Sequence, residues 1–129
     1  MRPFGVCTLI VGIDKEQSPP VPRLFLTEPS GIHSEWYASA IGRNSKTVKE
    51  FLEAKYPSQG APPREAAIKL AVQALLETVQ SGAVYVDVAL MNMDGVVEYL
   101  GFDEIKRLID QIEAERVEEA EARKRQMTQ

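Results

Sequence analysis

Apolar and polar positions along the 129-residue chain alternate between two periods, and each change of period marks an element. Phe4 to Asp14 is an apolar run with β-branched Val6, Thr8, Ile10 and Val11, and it predicts a strand buried on both faces. Lys15 to Pro22 holds three prolines in four positions, which removes donors and predicts an exposed loop. A second strand is expected over Arg23 to Glu28. A corner at Pro29-Ser30-Gly31 leads into a third over Ile32 to Ile41, with Ile32, Trp36, Ala38 and Ala40 on one face.

Helical spacing then takes over. Val48, Phe51, Leu52 and Tyr56 predict a helix within Arg43 to Tyr56, with Asn44 or Ser45 accepting from its first free amides and Pro57 closing it. After Pro62-Pro63, Arg64 to Gly82 carries the stripe Ile68, Val72, Leu75, Val79. Ala67, Leu70, Ala71, Ala74 and Leu76 widen it until most of the circumference is apolar. Such a helix must be covered on more than one side, and Ser81-Gly82 is its expected stop. Val84, Val86, Val88 and Leu90 alternate with Tyr85, Asp87, Ala89 and Met91, and Asp94-Gly95 predicts a hairpin into Val96 to Leu100. The last helix starts near Gly101, with Asp103 and Glu104 favouring its dipole and Leu100 and Ile105 placed as a hydrophobic staple. Its stripe is Ile105, Leu108, Ile109, Ile112. From Glu113 to Gln129 the face is nearly all charged, and Glu119–Arg123 and Glu121–Arg125 stand at the favourable i,i+4 spacing of a projecting helix. The order βββααββα predicts an α+β chain, a single domain without internal repeats.

Composition narrows the class. With 44% apolar and 26% charged residues the chain is ordinary globular material, and a net charge of −4 gives no reason to expect nucleic acid. Arg43, Lys46 and Lys49 form a weakly basic spot that Glu50 and Glu53 offset, as on a solvated helix face. No run is long and apolar enough for a membrane span, and the start has no signal-peptide core, which points to an intracellular protein. Cys7, the only cysteine, allows no internal disulfide and is expected to be buried and inert.

Little chemistry is on offer. Ser30, His33 and Glu35 imitate a nucleophilic triad, but His33 and Glu35 stand two apart on one strand and Ser30 sits in the corner, so the base cannot bridge the other two. One Cys and one His exclude a structural metal site, and no phosphate-binding glycine motif exists. Asp87 and Glu28 lack a second carboxylate, and Trp36 is expected in the core. No catalytic, cofactor-binding or metal residue is therefore assigned.

The stretches "RPFGVCTLIVGID", "PRLFLTEPSGIHSEWYASAIGRNSKTVKEFLE" and "EIKRLIDQIEAE" resemble the second half of a proteasome alpha-type subunit. The structural signature is Arg2, Pro3, Phe4 and Gly5, the corner Pro29, Ser30 and Gly31, then Trp36 and Ile41-Gly42, followed by a helix bearing Phe51-Leu52-Glu53. Glu28 stands where the family usually has Asp, Tyr37 where a Lys commonly follows the Trp, and the proline-rich insert at Ser18 to Pro22 lengthens a loop. The charged closing helix is most similar to the alpha type-7 group.

The resemblance implies a partial αββα sandwich of the N-terminal-nucleophile hydrolase type, residues 1–129 forming one partial domain with 113–129 as a charged helical tail. Gate, first strands and activator-binding lysine would belong to an N-terminal half that this chain lacks. It further implies a non-catalytic subunit of the outer ring of the 20S particle, in the ubiquitin-dependent pathway, in cytoplasm and nucleus. Other alpha and beta subunits would be its partners, with an activator or regulatory particle docking on the intact ring, and without nucleic acid, membrane or cofactor. Open strand edges would make the isolated chain self-associate. Two alternatives remain: a shortened N-terminal-nucleophile hydrolase, which needs cleavage before Cys7 or Thr8, and an interaction module acting through the helix from Asp103 onward.

Overall fold

In a computed structural model, residues 5–58, 60–78 and 86–128 are described. Strands β1 (Thr8–Asp14), β2 (Val21–Thr27) and β3 (His33–Trp36) form an antiparallel sheet in that order. The helices α1 (Ser45–Lys55) and α2 (Arg64–Leu76) follow, then the hairpin β4 (Ala89–Met91) and β5 (Val97–Tyr99), and finally α3 (Phe102–Met127). The α+β class and the order of elements match the reading of the sequence.

Both hairpins with short loops are built alike. At the first, the Glu28 amide donates to the Ile32 carbonyl at 2.9 Å and the Gly31 amide to the Glu28 carbonyl at 2.9 Å, enclosing Pro29-Ser30-Gly31. At the second, Asn92 donates to Val96 at 2.9 Å and Gly95 to Asn92 at 2.8 Å, enclosing Met93-Asp94-Gly95. Each loop ends in a glycine of positive φ, 90° at Gly31 and 88° at Gly95, which is the three-residue loop with a glycine bulge. Asp94-Gly95 is therefore part of a three-residue loop and not a two-residue turn. Asp94 contributes its carboxylate, which accepts from the Val96 amide at 2.9 Å.

The helices make the core. Val48 and Leu52 of α1 pack with Ala74 of α2, joined by half-buried Phe51 and Leu70 and by Ala38 and Ala40 of the incoming linker. On its other side α2 presents Val72 and Leu76 to Ile112 of α3, flanked by Leu108, Ile109 and Val88. The expectation that α2 needs cover on more than one side is met by these two clusters. The stripe is shifted, however: Leu75 is exposed, and Ala74 and Leu76 are buried in its place. The staple positions hold, since Gly101 is the N-cap of α3 and Ile105 in its second turn is buried.

Several expectations are corrected. The first strand begins at Thr8, because residues 5–7 are irregular; Arg2, Pro3 and Phe4 lie outside the described residues, as do Val79, Ser81-Gly82, Val84 and Tyr85. The third strand stops at Trp36 instead of reaching Ile41, because Ala38 and Ala40 turn onto α1 and α2 and the chain bends through Gly42 at φ 97°. Neither Asn44 nor Ser45 caps α1 with a side chain: Asn44 is left-handed at φ 60°, whereas a side-chain cap needs an extended residue there. The Asn44 carbonyl accepts from Val48 at 3.2 Å instead.

Burial differs too. Strand β1 is not buried on both faces: Ile10 is 50% and Val11 57% exposed, because β2 alone flanks it among the described residues. Cys7 is an exposed thiol, standing one residue before the first paired position. Trp36 is 42% exposed, held at the sheet margin by its indole donating to Ser34 Oγ at 2.6 Å and by Lys49 Nζ 5.6 Å above its ring.

Replacing Ile112 by Ala should cost about 2–5 kcal/mol in urea unfolding, because it hollows the contact that holds α3 on α2. Val117→Ala on the exposed face of the same helix should change stability by no more than about 0.5 kcal/mol.

Candidate assembly surface

Register and alternation fix which sheet residues share a face. Directly paired residues lie on one side, so Leu9, Leu26 and Ser34 stand with Val11, Leu24 and Trp36, and with Ile13 and Pro22. This face is apolar, and it is the side that Lys49 of α1 reaches over Trp36. Leu26 at its centre is buried, while Val11 and Trp36 at its margins remain open.

The opposite face is a different surface. Arg23 sits between two carboxylates, its Nε 3.1 Å from Asp14 and its Nη1 2.7 Å from Glu35. Those hydrogen bonds, Glu35 first and Asp14 second, raise the guanidinium above its ordinary value. Ile10 and Phe25 lie beside them on the same face. A charge-locked trio flanked by apolar side chains fixes the three strands relative to one another, and it leaves an exposed surface that is neither wholly solvated nor wholly dry. No motif singles out Arg23 or Asp14, and Glu35 stands out only within the imitated triad. Their signal was parity: positions 14, 23 and 35 fall on one face once the register is known.

The hairpin β4–β5 repeats the pattern on a smaller scale. Glu98, on the Leu90 side, pairs with Arg64 of α2 at 3.0 Å, and Arg64 also donates to Asn92 at 3.3 Å. Ala89, Met91, Val97 and Tyr99 occupy the other side, where Val97 and Tyr99 are exposed.

The long helix is clasped to α2 by side chains within its charged run. Lys69 meets Glu115 at 2.8 Å, and Arg116 meets Glu77 at 3.0 Å while reaching the carbonyls of Gln73 and Leu76 at 3.4 Å each. Those carbonyls belong to the last turn of α2, where a cation also complements the helix dipole. The first turn of the charged segment therefore docks on α2, and solvent surrounds the helix from Val117 onward. Glu119–Arg123 and Glu121–Arg125, expected as ion pairs, are not bonded to each other; at an exposed helix surface such pairs gain little against side-chain freedom.

Nothing in the described geometry assembles a reactive centre. Ser30 lies exposed in the corner, His33 pairs with Thr27, and the Glu35 carboxylate is committed to Arg23, so the three residues are not brought together. Trp36 stands at the sheet margin and Gly31 at positive φ, with Pro29 and Ser30 beside it in the corner. Gly5, Ile41 and Gly42 are exposed chain on either side of the sheet. Among the described residues no group of three or more His, Cys, Asp or Glu side chains is placed to hold a metal ion, and no helix is long and apolar enough to cross a membrane. An open groove of about 270 Å³ lies where α1 meets α2, lined by Lys55, Pro57, Pro62, Ala66, Lys69, Leu70 and Gln73. The one cation there with a defined partner, Lys69, is engaged by Glu115.

Comparison with known proteins gives the surface a context. The sequence profile of the family described as "Proteasome subunit" matches residues 1–89. Proteasome subunit alpha type-4 of Saccharomyces cerevisiae is 46% identical over 117 residues, covering 90% of this chain and 45% of the yeast protein. Proteasome subunit alpha type-8 of Mus musculus is 41% identical over 98% of this chain and 50% of its own length. Proteasome subunit alpha type-7 of Dictyostelium discoideum is 43% identical over 100% of this chain and 49% of its own. Type-7 chains thus stand among the similar proteins, at the same level of identity as types 4 and 8. The chain spans about half the length of the curated relatives it matches.

Two outcomes test this geometry. Gly31→Ala meets no atom within 4 Å, so its cost is backbone strain alone, about 1–2 kcal/mol in chemical unfolding. The Glu115 carboxyl is held below its ordinary value, first by the hydrogen bond from Lys69 and then by that from Gln111. Its stabilising effect is complete above the ordinary carboxylate range and is lost as pH falls through the lowered value. The protection of the α3 amides around Ile112, corrected for the pH dependence of intrinsic exchange, should therefore fall on acidification, and Glu115→Gln should remove that fall.

Proposed function

Since the chain belongs to the proteasome subunit family, we propose that it acts as a non-catalytic structural part of the alpha-type outer ring of the 20S particle, which degrades proteins in the ubiquitin-dependent pathway. The observation that carries this reading is the contrast between layers. Three helices close a core on both sides of α2, while the sheet beside them has, among the described residues, exposed apolar positions and a fixed charge trio. A surface of that kind is made for packing against other chains, not for turning over a substrate.

In this reading the elements form part of the αββα sandwich typical of N-terminal-nucleophile hydrolases, with β1–β3 in one sheet and β4–β5 in the other. Arg2, Pro3, Phe4, Gly5, Pro29, Ser30, Gly31, Trp36, Ile41 and Gly42 serve the scaffold. Gly31 supports this directly, through the positive φ that its loop requires. Partners are other alpha and beta subunits, with an activator meeting the intact ring, and the setting is cytoplasm and nucleus. A hydrolase reading is disfavoured by Thr8, which is paired in β1 opposite Thr27 and has no free amine beside its hydroxyl.

Expression of the tagged chain with alpha-type partners, followed by native gradient fractionation, tests the proposal. The chain should migrate in particles containing other proteasome subunits, and the purified chain alone should cleave no peptide. Exclusion from such particles, or peptide cleavage that depends on its own hydroxyl or thiol, would overturn it.

A further inference from the structure

We propose that Tyr37 and Tyr56 form an oxidative cross-linking site, at which a one-electron oxidant joins the two side chains as dityrosine. Their rings stack with centroids 5.8 Å apart and planes inclined by 23°, the spacing of a favourable offset aromatic pair. No other aromatic pair is stacked among the described residues. The contact joins the residue that follows β3 to the residue that follows α1, so it is made within one chain and does not depend on what borders the sheet.

Both backbones are anchored. Tyr37 lies between Trp36, whose indole donates to Ser34 Oγ at 2.6 Å, and Ala38, which packs on the core of α1 and α2. Tyr56 is the C-cap of α1, and its amide donates to the carbonyl of Leu52 at 2.8 Å; Leu52 is buried in that same core. The two phenols are therefore neighbours before any reaction, and holding reactants together replaces a chance encounter by a step within one molecule. Among the described residues Tyr37 is 89% exposed while Tyr56 is half-buried. The exposed side chain can slide across the other, bringing together the ring carbons beside the hydroxyls without displacing packed groups.

Electrons and atoms balance between the pair and its oxidant. Each phenol gives up one electron and its hydroxyl proton, leaving two neutral tyrosyl radicals. A carbon–carbon bond forms between positions ortho to the hydroxyls, and the hydrogens there move to the oxygens to restore both phenols. The net loss is two electrons and two protons. Peroxide acting through a haem accepts both and becomes water, and persulfate accepts the electrons and becomes two sulfate ions. Trp36, next in the chain, is the ring placed to compete, but Lys49 Nζ stands 5.6 Å from its centroid and opposes positive charge on the indole. A tyrosine sheds its proton on oxidation and carries no such charge. The new bond would close the chain between positions 37 and 56 into a loop, fastening the end of β3 to the end of α1 and restricting the unfolded chain as other covalent cross-links do. This chemistry is independent of ring membership, which the gradient experiment reads separately.

Brief photo-oxidation of the dilute 129-residue chain, with a ruthenium tris-bipyridine sensitiser and persulfate, tests the proposal. The monomer should become lighter by two hydrogen atoms and gain dityrosine fluorescence. Peptide mapping should join positions 37 and 56, and the linked chain should unfold at a higher urea concentration than the unlinked one. Tyr37→Phe and Tyr56→Phe each keep a ring in the stack, and each should abolish the linked monomer. Tyr99→Phe should leave its yield unchanged, although Tyr99 is 77% exposed. Reaction in strong urea should lose the link, because the unfolded chain no longer holds the rings together. A wild-type monomer without dityrosine, a monomer linked through Tyr85 or Tyr99, a link that survives Tyr37→Phe or Tyr56→Phe, a yield unchanged by urea, or a linked chain no more stable than the unlinked one would overturn the proposal.

Discussion

The burial of α2 on two opposite sides is the constraint on which the described structure depends. Ala74 is small enough to let Val48 and Leu52 of α1 come close, while Val72 and Leu76 fill the contact with Ile112 of α3. Neither neighbour can be removed without exposing a stripe of α2 to water, so the three helices stand or fall together. Polar contacts reinforce this arrangement at its ends: Arg64 ties the start of α2 to Glu98 and Asn92, and Arg116 ties its end to α3. Among the described residues, the one buried hydroxyl without a hydrogen-bond partner, Ser39 Oγ, lies in the linker that feeds Ala38 and Ala40 into the same core.

The sheet is organised by a different rule. Helices satisfy their own backbone, but strands do so only through neighbours, and among the described residues β1 has one neighbour where a central strand has two. Ile10 and Val11 of β1 are half exposed for that reason. The helices close a core of their own, and the sheet beside them is paired on one side of β1 alone among the described residues. The family match over residues 1–89 includes the whole three-stranded sheet, the corner glycine Gly31 and the first two helices.

Much of this was legible from periodicity. The eight elements, their order, and the double-sided demand of α2 follow from where apolar residues recur. What failed was everything set by neighbours. A run such as Phe4 to Asp14 looks like a buried central strand, yet burial is a property of what lies alongside, and so Val11, Cys7 and Trp36 were placed too deep. Strand ends were misjudged where a tertiary contact competed: Ala38 and Ala40 have the alternation of a strand but are captured by the helical core. The Arg23 trio was hidden for the same reason, since its members are far apart in sequence and meet only through register. The Ser30, His33, Glu35 set shows the converse, residues close in sequence that the fold keeps apart.

Residue-resolved amide exchange on the dilute chain tests the central claim most directly, that α2, buried on two sides, is the most stable element and that β1 is paired on one side alone among the described residues. The account predicts the slowest exchange in α2 around Val72 to Leu76, and in β1 an alternation, with Ile10 and Gly12 protected and Leu9, Val11 and Ile13 exchanging freely. Uniform protection along β1 under those conditions would contradict it, because the edge would then be covered within a single molecule.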